Sequence, residues 1–429
     1  MNGRFKFAFV SLSASLVVLL LVGALVGKSA PSDVPAYRQM QVYMEVLAKI
    51  KSDYVEEPDL KSVTLGAMNG LLESIDPFAS YLNAEQYKQY VKNKGAKKAD
   101  VGLVLSKRYG YVGVVSALPD SPAAKIGLAT GDLIENINGV ATRDMPLAYA
   151  ELLMQGAPGT DVEISILRMR NPEPQKIKLT RAAVPVPPVT SKMLPDQVGY
   201  VRPGTLLAGK TAEVAAAIKS LEQQGAKRLV LDLRQCAIGT PEEGLALANL
   251  FLEKGLMSYL EGQRVPRQNF EAKPEKYMFR LPLVVTTNRG TADGAEIAAS
   301  ALLESKRAEV VGERSFGDAA VRRAINMEDG SAIILSVAKY FTPQGKAIQD
   351  TGVIPSVPFV ESEPFTEIED EEGIETPEVA PQPQKQEEDS LLKKAIEVLL
   401  QGKPQTASVH APISGQAAPK EISFAYATV

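Results

Sequence analysis

The chain has 429 residues, 45% hydrophobic and 23% charged, with a formal net charge of −4. That length allows two or three globular domains, and the slight acidity without a binding motif excludes a nucleic-acid partner. One cysteine (Cys236) and one histidine (His410) rule out an intrachain disulfide and Cys/His zinc sites; His410 sits in a Pro/Ala/Ser/Gln-rich tail, so Ser–His and Cys–His catalysis are ruled out in the folded part, and no cofactor is implied.

In chain order, Arg4 and Lys6 precede an apolar run over about residues 7 to 27. The run is close to a membrane span, and Lys28 interrupts the best small-residue cleavage site. Residues 1–30 are therefore expected to be an uncleaved signal-anchor, an N-terminal membrane helix. Its positive start puts the N-terminus inside and exports the body. In a bacterium this means a single-pass inner-membrane protein with its body in the periplasm; release to the periplasm after signal cleavage is the alternative. Residues 31–99 are helical by period, with Tyr43, Val46, Leu47, Ile50 and Tyr54 on one face, then Leu65, Met68, Leu71 and Leu72.

Residues 100–181 carry Val101, Gly102, Leu103, Val104 and Leu105, then Ser121-Pro122-Ala123-Ala124 and Gly131-Asp132 through Ile137-Asn138-Gly139. This pattern resembles a PDZ domain, a small β-barrel-like module. The resemblance implies that residues 101–105 form a carboxylate-binding loop running into a strand, which binds C-terminal peptides by strand addition. Residues 182–360 alternate strand and helix signals. Leu229 to Arg234 and Leu283 to Thr287 are buried strands, and 211–224 is an amphipathic helix stopped by Gly225. Residues 361–388 are acidic and Pro-rich, a solvated linker. A short helix over 389–402 and a tail over 403–429 follow. Phe424, Tyr426 and Val429 would suit the chain's own PDZ groove.

The strand at 283–287 runs into Gly290-Thr291-Ala292-Asp293-Gly294 and an Ala-rich helix; Gly312-Glu313-Arg314-Ser315-Phe316-Gly317-Asp318 follows, with Arg322 beyond. This stretch resembles the carboxyl-terminal processing serine peptidases, the tail-specific proteases. The resemblance extends to Asp76-Pro77, Leu231-Asp232-Leu233-Arg234 and Tyr340-Phe341-Thr342-Pro343. It implies an α+β multidomain chain: a helical N-terminal segment, the PDZ domain, and an α/β core with a curled mixed sheet of the crotonase-like kind. It also implies cleavage of exported proteins near their C-termini by a Ser–Lys dyad. In this sequence the nucleophile position is Asp293, the base position Asp318, the Gln that steadies the base Arg322, and the oxyanion Gly Ile238.

A Ser–Lys dyad needs an alcohol and a neutral amine. Asp293 has no hydroxyl and Asp318 no amine, so no intact catalytic residue is expected. Two facing carboxylates repel unless one keeps a proton or a cation joins them, and Arg322 is the cation at hand. Cys236 has no base and reads as a small buried thiol. The expected function is a non-cleaving pseudopeptidase of the cell envelope that binds C-terminal peptides of exported proteins or regulates an active peptidase relative. An endopeptidase with a rearranged dyad and an envelope scaffold are the alternatives.

Overall fold

The computed structural model describes residues 34–93, 99–108, 110–143, 145–168, 171–360 and 389–401. The expected membrane helix at 1–30, the linker at 361–388 and the tail at 403–429 lie outside the described residues. No helix among the described residues is long and apolar enough to cross a membrane. The described residues fall into two compact units, divided between Ala67 and Met68.

In the first unit the helix Val34–Asp53 half-buries Tyr43, Leu47 and Ile50, one stripe at helical spacing. Val46, at the edge of that stripe, and Tyr54, past the last helical residue, are exposed instead. The helix Leu60–Glu73 follows and runs into the second unit.

The second unit continues with the turn Asp76-Pro77-Phe78, strand β1 (Ser80–Leu82) and the helix Ala84–Asn93. Asn83 starts that helix through a reciprocal cap: its side chain accepts from Gln86 N at 3.0 Å, and the Gln86 side chain accepts from Asn83 N at 3.1 Å.

The PDZ part comprises β2 (Leu103–Arg108), β3 (Tyr111–Ala117), β4 (Leu133–Ile137), β5 (Val140–Ala141), β6 (Asp161–Arg168) and β7 (Asn171–Thr180). They form a sheet in the order β2-β3-β4-β6-β7, with β5 paired to β4. Alternation along β6 points Val162, Ile164 and Ile166 inward, where they meet Val101, Leu105, Val112, Ile134 and Ile137. The helix Leu147–Met154 closes this core. At its C-terminal end the buried guanidinium of Arg181 donates to the carbonyls of Leu153, Met154 and Asp161 at 2.7, 3.1 and 2.8 Å.

The peptidase-like core holds two sheets where a single curled sheet was expected. In chain order its strands are β8 (Thr190–Leu194), β9 (Val198–Arg202), β10 (Arg228–Asp232), β11 (Leu256–Gly262), β12 (Val265–Glu271), β13 (Leu283–Thr287), β14 (Glu309–Gly312), β15 (Ala320–Asn326), β16 (Ala332–Phe341) and β17 (Val357–Pro358). One sheet runs β17-β14-β13-β10-β9-β8, parallel except for the antiparallel edge strand β8. The other is antiparallel, β1-β16-β11-β12, with β15 on β16. The split follows from the residues: β13 is buried at every position, as a sheet covered on both faces requires, whereas β12 is exposed over most of its length.

Helices Lys210–Gln223, Pro241–Asn249 and Gly294–Glu304 supply the main core on one face, through Val214, Ile218, Leu245, Leu247, Ile297 and Leu302. The helix Ser390–Gln401 covers the other face with Ala395 and Leu399, against Val198, Tyr200, Val230, Val284 and Val311.

Candidate functional site

Sites in parallel α/β sheets lie beyond the carboxyl ends of the strands. Here the loops after β10, β13 and β14 bring Cys236 to Ile238, Gly290 to Asp293 and Ser315 to Asp318 together there. The β13 loop is stitched by Asn288, whose side chain accepts from Gly290 N at 3.0 Å and from Gln235 N at 3.1 Å. Thr291 Oγ1 donates to Leu233 O at 2.8 Å, and Ala292 N to Cys236 O at 3.1 Å.

Asp293 sits at the tip of this elbow with φ 55 and ψ −128, a conformation that favours glycine. The corner is tight because two helices touch through glycines behind it: a Cβ on Gly294 would collide with Thr240 O, and one on Gly244 with Gly294 O. The Asp293 amide donates to Asp318 O at 2.9 Å, so the backbones of the two dyad positions are joined directly. Burial first, then the charge of Asp318, pushes the Asp293 carboxyl up to about 7; Arg322 and the Gly294 amide pull the other way.

Arg322 donates from both terminal nitrogens to the Asp318 carboxylate. Burial and this pair act in opposite senses on Asp318, and its carboxyl lies above the ordinary range. The expected convergence of both aspartates on Arg322 is only half realised, because Arg322 makes no hydrogen bond to Asp293 among the described residues. Geometry on its far side accounts for the bias. Its guanidinium lies over the Phe78 ring at 4.2 Å, and Phe78 meets Phe316 edge-on at 5.8 Å. Its Nε is buried without a hydrogen-bond partner. Asp76 fixes Phe78 by accepting from its amide at 2.9 Å and from Ser336 N at 3.2 Å.

Beneath the pair lies Glu296, fully buried on the elbow helix. Its carboxylate accepts from Ser315 Oγ, from Gly317 N at 2.7 Å and from Asp318 N at 2.8 Å. Burial still pushes it up to about 8, against those hydrogen bonds. Cys236 is buried, and burial pushes its thiol up to about 12, far from a nucleophilic thiolate at neutral pH. Ile238, at the oxyanion position, is half-buried and accepts from Leu206 N at 2.7 Å. The site thus offers carboxyl groups and a guanidinium where acyl transfer needs a hydroxyl and an amine. No metal-binding cluster is found among the described residues.

Val101 to Leu105 lie apart from the elbow's catalytic positions in chain and partly beside them in space. Val104 packs near Val115, Ala237, Ala292 and Phe316, so the PDZ sheet rests on the elbow loops. Thr130 Oγ1 reaches Gln235 Oε1 at 3.1 Å across that contact. The sequence reading missed Gln235, whose φ of 57 was a detectable oddity only in the fold. It also missed a buried network: Asp232 accepts from Tyr200, Thr286 and Arg234, each at 2.7 Å at its shortest, and Arg234 reaches on to Asp389 at 2.7 Å.

Residues 197–359 match Peptidase family S41, and residues 113–168 match the PDZ domain. The carboxy-terminal processing protease CtpA of Bacillus subtilis is 33% identical over 313 residues, which cover 72% of this chain and 66% of that relative. The carboxy-terminal-processing protease of Bartonella bacilliformis is 30% identical over 361 residues, covering 82% of this chain and 81% of the relative. Among solved structures, a photosystem II D1 C-terminal processing protease superimposes with a TM-score of 0.62 at 29% identity, covering 73% of this chain and 86% of that one.

Proposed function

Because the chain belongs to the carboxyl-terminal processing peptidase family, with its PDZ domain, we propose that it is a non-cleaving member that binds extended peptide segments of exported proteins. In this reading residues 1–30 tether it to the bacterial inner membrane, the body works in the periplasm, and it presents clients to, or withholds them from, an active relative.

One observation carries the loss of cleavage. The elbow residue is a carboxylic acid, and the group that should deprotonate it is a carboxylate tied to Arg322. Neither partner supplies a nucleophile that forms an acyl-enzyme. Ile238 removes the close backbone approach that a second oxyanion donor needs, a loss on the order of 10²–10³ in rate.

The test is incubation of the exported part with an unfolded protein bearing a nonpolar C-terminus. Binding without cleavage is the expected result. Turnover above a heat-killed control, abolished by Asp293→Ala, would sink the reading. Asp293→Ser with Asp318→Lys should stay silent, since the oxyanion position is still Ile.

A rearranged endopeptidase is the second reading. It is favoured by an Asp293 carboxyl near 7 beside a paired Asp318, because one protonated and one ionised carboxyl is what water activation by a dyad uses. The same assay run from pH 4 to 8 separates the two.

A further inference from the structure

We infer that the PDZ groove of this chain prefers segments that continue past its closed end over free C-termini, because Asp100 already occupies the seat for a terminal carboxylate. The inference rests on the peptide-binding reading of the PDZ domain above.

A peptide adds to a PDZ sheet along an edge strand and delivers its last residue to the loop before that strand. Here the edge strand is β2, which ends its sheet with β3 as its one neighbour among the described residues. The loop before it is Asp100-Val101-Gly102. Its Gly102 N–H, one of the amides a ligand carboxylate would take, donates instead to Asp100 Oδ1 at 2.7 Å.

The loop cannot easily turn away to release that amide. Gly102 has φ 81, and a Cβ there would collide with Ser121. Its carbonyl accepts from Leu118 N at 2.8 Å, and the Val101 carbonyl accepts from Ala123 N at 3.0 Å. Asp100 is pinned on both sides by Ala182, its N–H donating and its carbonyl accepting at 3.0 Å each. A fixed carboxylate therefore stands at the mouth of the loop.

The consequence is electrostatic. A terminal carboxylate arriving there meets a like charge and finds a donor spent, and two carboxylates at one place oppose each other's ionisation. A chain that continues brings an N–H to the same position. Among the described residues the second Asp100 oxygen makes no hydrogen bond, so it is available to accept that N–H as a charge-assisted bond. The group that repels a C-terminus thus attracts an internal peptide.

The experiment uses the full chain in detergent and fluorescence anisotropy with two labelled decapeptides. Both have the same alternating apolar sequence ending in Val; one carries a free carboxylate and the other a C-terminal amide. The wild type should bind the amide more tightly. Asp100→Gly should shift the acid-to-amide affinity ratio towards the acid by on the order of tenfold, roughly one unit of carboxylate interaction. Asp100→Asn, which keeps an acceptor without charge, should fall between and guards against a folding defect in the glycine variant. Tighter binding of the acid by the wild type, or one ratio across all three proteins, overturns the inference while leaving peptide binding intact. If the wild type binds neither probe, the peptide-binding reading itself falls, and the inference with it.

Discussion

Asp293 bears two separate burdens, a backbone conformation suited to glycine and a carboxyl held against its charge. Strain of that kind costs about 1–3 kcal/mol. The sign of the second burden follows from proton linkage: with its folded value raised from 3.8 to about 7, Asp293 keeps a proton in the fold that the unfolded chain has released. Stability must then fall as pH rises from about 4 to about 7 and level off above. Asp293→Asn should accordingly gain more stability at pH 8 than at pH 5 in urea denaturation; equal gains at the two pH values would clear the carboxyl. Asp293→Gly should gain further, since it also relieves the backbone. Arg322 acts in the opposite sense. Arg322→Ala leaves Asp318 without its partner and should cost about 1–3 kcal/mol, less than the roughly 3–5 kcal/mol of a fully buried pair because both side chains keep roughly a quarter of their exposure. Adding Asp318→Asn should recover part of the loss. Arg322→Lys should not, because an ammonium cannot both grip the carboxylate and lie flat on Phe78.

Most elements were legible from the sequence, because periodicity and turn residues are local. Buried runs gave β10 and β13, and the amphipathic stripe ending at Gly225 gave the helix Lys210–Gln223. What was not legible is how elements hold one another. The helix Lys210–Gln223 has no capping side chain of its own; Glu243, on another helix, accepts from Gly209 N at 2.7 Å and Thr211 N at 2.9 Å. No spacing rule places a cap thirty residues away. Lys107 is a second case. Its ammonium lies within hydrogen-bond distance of four carbonyls, those of Gly110, Thr142, Arg143 and Met145, at 2.9, 3.0, 2.9 and 3.1 Å, and shares its three N–H groups among them. This pins the far end of β2 to the segment that leads into the helix Leu147–Met154, the strand and helix between which a PDZ ligand would lie. Lys107→Met should weaken peptide binding on the order of tenfold, as loss of hydrogen bonds from a charged donor implies. Unchanged affinity would mean that the groove keeps its width without the pin.

At the scale of residues 68–429, the PDZ part and the core share buried surface through Val115, Ala237 and Ala292, with Val104 and Phe316 alongside. Domains joined this way should unfold together. Calorimetry is expected to show one transition for them, and Ala237→Glu, which buries a charge in the contact, should split it in two. A wild type that already melts in two steps would show that the contact is too weak to couple them. The candidate site was readable to the extent that chemistry depends on residue identity: Asp293, Asp318 and Ile238 declare themselves in the sequence. The PDZ–core contact was not, since Val115 and Ala292 are ordinary apolar residues whose meeting depends on the whole chain path.

The network of Asp232, Arg234 and Asp389 gives the dock for the helix Ser390–Gln401 a polar side and an apolar side. On one side is an apolar face of five side chains; on the other, Arg234 grips Asp389, and Asp389 in turn accepts from Leu392 N at 2.8 Å and starts the helix. Among the described residues, this helix is recognised by the sheet and by Arg234 in the loop after β10, and the recognised groups lie within residues 389–401. A synthetic peptide of residues 389–401 should therefore reassociate with a chain ending at residue 360 and restore its melting temperature, as in fragment complementation. The Asp389→Ala peptide should fail to do so. The same dock would accept a dye-bearing copy of the helix, giving a reversible label on the sheet face opposite the helices Lys210–Gln223, Pro241–Asn249 and Gly294–Glu304.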